Sequence, residues 1–451
     1  MRVIFLIRLF FWCVVTASVA ADTVVSPLDE QGLTPLGAVR AGNAAGTIPA
    51  WEGGITKPPS GYVPGEHHVD PFPDDRPRLT ISAANLDVHA DRLSPGQQAL
   101  LRANPDSWQL QVYPTRRTAS YPEWVYDAVR NNARSAKLLT AGLGGVAAAN
   151  VSSPFPVPAS GVEAVWNHNL RWRGIRIQRS FGQAAVTRRG RYTVTLSLQD
   201  FAFPYAAHPA DPLRERFPNL LLAVKGKTIQ PGLLSGDGTL TLEPIDQTNA
   251  PRKTWIYSRN LRRILRQPHF ANGFPAANTD GLRTVDEFDM FNGSPAQFDW
   301  VLKGKQELYI PYNAYRIHDK AVGPDDIIRE RHINPGLARY ELHRVWVVEG
   351  TLKAGMKHIY SRRVFYIDED SWQIAVMDSY DMDGKLWRTA EAHALNYYEV
   401  PVLWSTLEVY YDLEAQRYLV SGLDNGRNPY RFSDTADPRE FSPNALNFYI
   451  R

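Results

Sequence analysis

The sequence predicts a mainly β protein of the α+β class, with a large antiparallel sheet and few helices. The first observation behind this prediction is four long segments between residues 340 and 393 that are rich in β-branched and aromatic residues. Only short turn clusters separate them, so they pair as an antiparallel meander, because a parallel crossover needs a dozen or more residues. The second observation is a total of roughly ten to thirteen strand-like segments, at a spacing typical of sandwiches or barrels. The four predicted meander strands are Tyr340–Leu352, His358–Asp368, Ser371–Tyr380 and Lys385–His393.

Earlier strands are predicted from the alternation of apolar and polar residues. Tyr192–Gln199 alternates strictly, which predicts a half-buried strand. Between Leu170 and Ile177 the apolar positions change parity at Gly174, which predicts a strand bent by a bulge. Bent strands suit a sheet that closes on itself.

The first 21 residues have the three parts of a secretory signal peptide. Arg2 and Arg8 give the positive region, Leu9–Val15 the apolar region and Ala17–Ala21 the small-residue cleavage site. The only cysteine, Cys13, lies inside this segment, so we expect a mature chain without disulfides. Loss of the two arginines lowers the formal charge from +3 to +1, which argues against non-specific nucleic-acid binding.

Three segments follow the signal peptide. Residues 22–78 are rich in Pro and Gly and lack a hydrophobic period, which predicts an extended arm. Apolar anchors such as Leu36 and Trp51 favour an ordered arm over a disordered one. Residues 79–150 are predicted to be a helical segment that packs on the sheet, and residues 151–451 the β domain.

Two capping boxes mark helices in the second segment. Ser94–Gln97 has Pro at the first helical position, and Ser120–Glu123 precedes apolar residues at a spacing of four. The second box predicts a helix that runs to about Leu139 and packs a broad apolar face on the sheet.

No catalytic constellation stands out in the sequence. It contains no Gly-x-Ser-x-Gly elbow, no His-Glu-x-x-His and no Walker loop. His168 is interpreted as a hydrogen-bonded residue at the start of a strand rather than as a base. The acids of Tyr366–Asp383 could form a glycosidase pair only at a separation that sequence does not give. We therefore predict no catalytic residues and no cofactor.

Two clusters of possible metal ligands are interpreted without a metal. The pair His67-His68 with Asp70 lacks further ligands at metal-site spacing, which favours a surface loop. Asp378–Gly384 is similar to a calcium loop, but Ala390 stands where the bidentate carboxylate belongs. A hairpin turn is the better interpretation of that segment.

Two basic stretches have more than one interpretation. Arg171–Arg191 contains seven arginines and no acid, which favours a solvated sheet face that discourages aggregation. Arg252–Arg266 is either such a face or a docking surface for an acidic partner or lipid head groups. We leave both readings of the second stretch open.

Longer motifs connect the chain to a known family. They are Leu33–Ala38, Gly46–Gly54, Val112–Thr115, Pro154–Pro158, Trp166–His168, Arg171–Gly174, Arg262-Arg263 before Pro268, and Lys303–Glu307 before Tyr312-Asn313. With these motifs in order over nearly the whole mature chain, the sequence resembles the family called domain of unknown function 1329, exported proteins of Gram-negative bacteria. Asn260-Leu261 stands where that family has Pro-Gly, so the turn there is expected to differ.

That family is similar to the lipoprotein-carrier superfamily of LolA and LolB, and its members are often described as outer-membrane lipoprotein-sorting proteins. The resemblance implies an incomplete antiparallel β-barrel around a hydrophobic cavity, with helices covering its open side. Family members often occur beside a resistance-nodulation-division (RND) exporter and an outer-membrane β-barrel protein, which implies a role in envelope traffic. The positions that match the superfamily's strand–turn–strand pattern are Asp368, Trp372, Tyr380, Asp381, Asp383 and Gly384.

Residues and resemblance together predict a periplasmic carrier or chaperone for a lipid, an acyl chain or a lipoprotein, moved toward or from the outer membrane. The aromatic content of 11% would either fill a thick core or line the cavity that holds this ligand. Arg262 and Arg263 are the predicted rim or docking site. The predicted cavity-wall residues are Trp172, Trp255, Tyr257, Trp300, Tyr309, Trp346 and Trp372.

Two other functions stay open at this point. One is a non-enzymatic adaptor that links an inner-membrane RND exporter to an outer-membrane β-barrel protein, with its interior filled by side chains. The other is an envelope hydrolase. Bulky Phe11 and Trp12 precede Cys13, which argues against a lipoprotein anchor. No later run reaches eighteen apolar residues, so we expect a soluble periplasmic protein, peripheral to the outer membrane at most.

Overall fold

The structure, a computed structural model, describes residues 27–233, 235–267 and 272–450. The signal peptide predicted for residues 1–21 lies outside these ranges. Within them the chain forms eighteen strands and nine α-helices. No helix in the described ranges is both long enough and apolar enough to cross a lipid bilayer.

The elements have the following bounds. The strands are β1 Leu79–Ile81, β2 Leu110–Val112, β3 Lys137–Leu138, β4 Val146–Ala147, β5 Arg176–Val186, β6 Thr195–Ala202, β7 Leu220–Gln230, β8 Gly238–Pro244, β9 Lys253–Ser258, β10 Arg263–Arg266, β11 Phe298–Pro311, β12 Tyr340–Leu352, β13 Arg362–Asp368, β14 Ile374–Tyr380, β15 Leu386–Tyr397, β16 Val402–Asp412, β17 Arg417–Leu423 and β18 Arg431–Ser433. The helices are α1 Pro27–Glu30, α2 Leu86–His89, α3 Pro95–Ala103, α4 Glu123–Ser135, α5 Gly161–Leu170, α6 Pro212–Arg216, α7 Tyr315–His318, α8 Pro324–Ile327 and α9 Pro443–Ile450.

One large sheet contains sixteen of these strands, and β3 pairs with β4 apart from it. Its order is β1-β2-β12-β13-β14-β15-β16-β17-β5-β6-β7-β8-β9-β10, with β11 paired to β12 and β18 to β5. Apart from a parallel bridge between Tyr340 and Val112, the pairs in this sheet are antiparallel. The predicted fold class, mainly β with a large open antiparallel sheet and few helices, is confirmed.

The predicted meander is confirmed as the consecutive strands β12 to β15. β12 has the predicted bounds, whereas β13 and β14 begin a few residues later than predicted and β15 runs on to Tyr397. The turn between β14 and β15 is closed by Asp381, whose Oδ1 accepts hydrogen bonds from the backbone N–H groups of Asp383 (3.0 Å) and Lys385 (2.8 Å). Those bonds agree with a hairpin turn.

Helix α5 corrects the prediction for the residues around Gly174. Gly161–Leu170 is helical, and the Ser160 hydroxyl accepts a hydrogen bond from the backbone N–H of Glu163. The strand begins only at Arg176, so the prediction of one bent strand through Gly174 is wrong. Gly174 lies in the connection between helix and strand with φ at +91°, a conformation that favours glycine.

The sheet curves around α4 and α5. Leu222 of β7, Val348 of β12 and Trp404 of β16 meet side chains of both helices in one hydrophobic cluster. Because β7 and β12 lie far apart in the pairing order, their side chains can meet only if the sheet wraps around these helices. Residues 79–112, with α2 and α3, pack on other side chains of β16 and β17, on the outer face of the sheet.

Helix α3 is held on the sheet by a buried carboxyl group. The predicted capping box of this helix is confirmed, since Ser94 Oγ accepts from the Gln97 N–H and Gln97 Oε1 accepts from the Ser94 N–H. Gln97 also donates to Glu391 Oε1 (2.9 Å), and the Tyr340 hydroxyl donates to Glu391 Oε2 (2.7 Å). Burial raises the pKa of Glu391 to about 7 in spite of these two donors.

We predict that Glu391→Gln makes the stability of the protein less dependent on pH. The folded-state pKa of Glu391 is about 7 and the ordinary value is 4.5, so the folded state binds a proton that the unfolded state releases. The free energy of unfolding of the wild type therefore falls as pH rises through this window, by at most about 1.4 kcal/mol per pH unit from this group.

Urea unfolding at several pH values between 4.5 and about 7, the ordinary and folded-state pKa values of Glu391, measures the effect. The difference in unfolding free energy between Glu391→Gln and the wild type should grow with pH. The exposed Glu414 provides the matched control, because Glu414→Gln should follow the wild type throughout. Parallel curves for the wild type and Glu391→Gln would contradict the prediction.

Candidate functional site

An apolar cavity of about 420 Å³ lies between one face of β7–β9 and residues 272–292. The strand register places Val224, Thr241 and Thr254 in one cross-strand row on this face, with Ile256 in the next row. The volume falls in the range of roughly 300–1,000 Å³ that is typical of small-molecule sites. The apolar lining residues are Leu222, Val224, Ile256, Phe274, Pro275, Ala276, Ala277, Val285 and Phe288.

Residues 272–292 form the roof of this cavity. The backbone N–H of Ala276 donates to the Arg283 carbonyl, and that of Val285 donates to the Phe274 carbonyl, both at 2.9 Å. Phe288 stacks on Phe201 of the sheet, with ring centroids 5.7 Å apart. These contacts hold the roof over the sheet.

Seven polar residues also line the cavity: Thr239, Thr241, Glu243, Arg252, Thr254, Gln267 and Asn292. Glu243 is buried, and its carboxylate accepts hydrogen bonds from Arg252 Nε and from the Gln247 amide. Burial raises the pKa of Glu243, and the neighbouring Arg252 opposes that effect. Within the described ranges, Arg252 Nη2 and Asn292 Oδ1 are buried and have no hydrogen-bond partner. Both residues also contribute to the lining of the cavity.

The seven aromatic residues predicted for a cavity wall lie in three separate hydrophobic clusters. Trp172, Trp300, Trp346 and Trp372 belong to the cluster around α4 and α5, Tyr309 to the outer-face cluster, and Trp255 and Tyr257 to a cluster against α9. The rings of Trp346 and Trp372 stack with centroids 6.1 Å apart. None of the seven lines the 420 Å³ cavity found in the described part of the chain. The sequence did not predict the position of this cavity.

Arg262 and Arg263 are exposed on the hairpin of β9 and β10, at one end of the sheet order. Arg263 pairs with Ser258 and Leu265 with Ile256. Side chains alternate along a strand, so Arg263 and Leu265 point to the same side of the sheet as the cavity-lining Ile256. The hairpin thus presents a positive charge and a partly exposed leucine beside the outer end of the cavity.

A buried ion-pair network lies inside the curve of the sheet. Arg171 Nη2 donates to both carboxylate oxygens of Asp289 (2.6 and 2.7 Å), and Arg173 Nη1 donates to Asp289 Oδ2. The prediction of a solvated face is therefore wrong for Arg171, Arg173 and Arg179, which are buried. Burial alone would raise the pKa of Asp289, but the two guanidinium groups hold it below its ordinary value.

His168 is part of this interior. Its ring nitrogens lie 2.9 Å from the Trp372 carbonyl and 3.0 Å from the Asp289 carbonyl. Burial, reinforced by Arg171, lowers the pKa of His168 to about 3, so the ring is neutral. The hydrogen-bonded role agrees with the sequence interpretation, although the residue lies in α5 rather than at the start of a strand.

The fold and the cavity define a mainly β protein whose open, curved antiparallel sheet leaves an apolar cavity near one end. The family described as "Protein of unknown function (DUF1329)" matches residues 80–447, and the chain belongs to this family. It is 41% identical over 433 residues to the uncharacterized protein PA3922 of Pseudomonas aeruginosa, a match that covers 96% of this chain and 94% of the relative.

Two solved structures are more distantly similar. A domain from Vibrio parahaemolyticus, named for outer membrane lipoprotein sorting, is 13% identical with a TM-score of 0.42, over 64% of this chain and 98% of that one. The LolA superfamily protein NE2245 of Nitrosomonas europaea is 9% identical with a TM-score of 0.36, over 63% of this chain and 98% of that one.

We predict that Asp289→Asn destabilises the protein by about 3–5 kcal/mol, because it leaves two buried guanidinium groups without a counter-ion. Asp289 has φ at +54°, which asparagine also tolerates, so backbone strain adds little to the effect. Urea unfolding measures the loss. As a control, Asp280→Asn removes an exposed ion pair to Arg417 and should change stability by less than about 1 kcal/mol. Equal effects of the two substitutions would contradict the prediction.

Proposed function

We propose that the protein is a periplasmic carrier that binds a hydrophobic envelope molecule in the cavity between β7–β9 and residues 272–292. The observation that supports this most is the cavity itself: its roof is held by backbone hydrogen bonds, its lining surface is mostly apolar, and its polar residues include the Glu243–Arg252 ion pair. Binding sites for small amphiphilic molecules have this composition.

The proposed ligand is an amphiphile with a single apolar chain and an anionic head. The chain contacts Val224, Ile256 and Phe288 in the apolar part of the cavity. The head lies beside Arg252, whose Nη2 donates a charge-assisted hydrogen bond to it. A fatty acid or the acyl chain of a lipid fits this description.

The basic hairpin of β9 and β10 is the proposed docking rim. Arg262 and Arg263 are exposed beside the outer end of the cavity, and the neighbouring Leu261 is 55% exposed. Basic and apolar side chains together favour contact with an anionic membrane surface or an acidic partner protein. Transfer at this rim would place the cavity next to the donor or acceptor of the ligand.

We predict that Ile256→Trp weakens binding of a fluorescent fatty acid, because the larger ring occupies the apolar part of the cavity. Tyr257→Trp is the matched control: the adjacent residue on the same strand faces α9, so its affinity should stay near that of the wild type. Fluorescence titration measures the affinity. In a separate sample, organic extraction of the purified protein followed by mass spectrometry identifies any lipid that it carries. A loss of at least about tenfold in affinity is expected for Ile256→Trp.

Failure of this experiment has a defined meaning. A wild-type protein that carries no lipid and binds no fatty acid would argue against carriage. It would favour the adaptor between an RND exporter and an outer-membrane β-barrel protein, whose interior needs no ligand. Equal binding by the wild type and Ile256→Trp would place the lipid elsewhere on the molecule.

We further predict that the wild type binds a fatty acid more tightly than its methyl ester, by roughly tenfold or more for one charge-assisted hydrogen bond. The double variant Glu243→Gln/Arg252→Met should lose this preference while keeping affinity for the ester. Changing both residues avoids leaving Glu243 buried without its counter-ion. If the double variant still prefers the acid, the head group is held by other residues.

A further inference from the structure

A cluster of metal-ligand side chains is buried where the N-terminal arm meets the sheet. It consists of His67 in the arm, His318 at the end of α7 and Asp424 just after β17. One ligand atom from each residue lies within 4.8 Å of the other two. His318 and Asp424 are 0% and 1% exposed, so the cluster is closed to solvent on the sheet side.

A chain of hydrogen bonds runs from Glu399 through His68 to His318. His68 Nε2 lies 2.6 Å from the Glu399 carboxylate, which accepts, so this nitrogen carries a proton. In the neutral form of His68, Nδ1 accepts the hydrogen bond from His318 Nε2 at 3.2 Å. The second nitrogen of His318, Nδ1, is left with its lone pair, and it lies 3.7 Å from Asp424 Oδ1.

The neighbours of that lone pair leave it available. Thr406 Oγ1 lies 3.0 Å from His318 Nδ1, and a hydroxyl can donate there or rotate away. A carboxylate that orients a histidine through its other ring nitrogen is the usual support of a metal ligand. Here His68 stands between the carboxylate of Glu399 and His318.

The other two members of the cluster have unused ligand atoms. His67 Nε2 and Asp424 Oδ2 are buried, and neither has a hydrogen-bond partner within the described ranges. Buried polar atoms without partners are uncommon in folded proteins.

We propose that His67, His318 and Asp424 bind one divalent transition-metal ion, with His68 and Glu399 as positioning residues. Two imidazoles and one carboxylate suit Zn²⁺, which takes nitrogen and oxygen ligands in a tetrahedral site and tolerates a fourth, non-protein ligand. The ion would join the arm to α7 and to the end of β17. This site is separate from the proposed lipid cavity, since none of the three ligands lines it.

The test uses the mature protein freed of metal with a chelator and titrated with Zn²⁺ in a calorimeter. We expect about one Zn²⁺ per chain and a higher midpoint of thermal unfolding with Zn²⁺ present. His67→Ala and Asp424→Asn should each weaken binding by at least about tenfold. The exposed His208 supplies the control, and His208→Ala should bind like the wild type.

A further variant tests the positioning role. His68→Phe keeps a ring in place but leaves the His318 tautomer free, and should weaken Zn²⁺ binding about 10–100-fold. Circular dichroism of each metal-free variant verifies that it is folded. If Asp424→Asn does not fold, His67→Ala, in the arm, still tests the proposal. The proposal is overturned if the wild type binds no Zn²⁺ or if folded His67→Ala binds it as tightly. Unchanged affinity in His68→Phe would remove His68 and Glu399 from the site.

Discussion

Neutralisation of the buried carboxylates of Glu369 and Asp370, in the turn between β13 and β14, is the constraint on which the arrangement of the chain depends. Buried carboxylates are strongly destabilising unless cations pair with them. Arg117 donates to Asp370 (2.8 and 2.6 Å), and Arg344 and Lys305 donate to Glu369 at 2.7 Å each. The remaining guanidinium donors of Arg117 and Arg344 bond backbone carbonyls at residues 39–41. Charge compensation inside the sheet therefore also fixes the N-terminal arm.

The same logic connects the interior of the sheet with the cavity. Asp289, which pairs with Arg171 and Arg173, belongs to the roof segment 272–292, and the adjacent Phe288 lines the cavity. α5 packs against β11 and β12 inside the curve of the sheet, and the buried Arg171 and Arg173 follow directly after it. Towards β7–β9 the roof takes the place of α5, and a cavity remains. The ion pairs of Asp289 with Arg171 and Arg173 thus anchor the roof of the cavity.

Local signals in the sequence predicted the parts of the fold that depend on neighbouring residues. The meander and the capping box at Ser94 are such features, because turn lengths and cap residues act over a few positions. Ser160 and Glu163 form a comparable helix-start signal that could have identified α5, but the aromatic and basic residues after it suggested strands. The burial of Arg171 was beyond reach, since its counter-ion Asp289 is 118 residues away.

The two proposed sites show why binding residues are harder to predict than strands. Alternation along β9 identifies the strand but not which set of side chains faces the cavity. A register shift of one residue would exchange Ile256 for Trp255 or Tyr257 on that face. The observed register turns Ile256 to the cavity and the two aromatic rings to α9. The partners of His67 and His68 are also hard to predict from the sequence. His318 is 250 residues from His68, so no spacing rule connects them. Both sites exist only because the curved sheet and its arm bring distant residues together, and interactions that hold the arm therefore also determine whether the metal cluster can form.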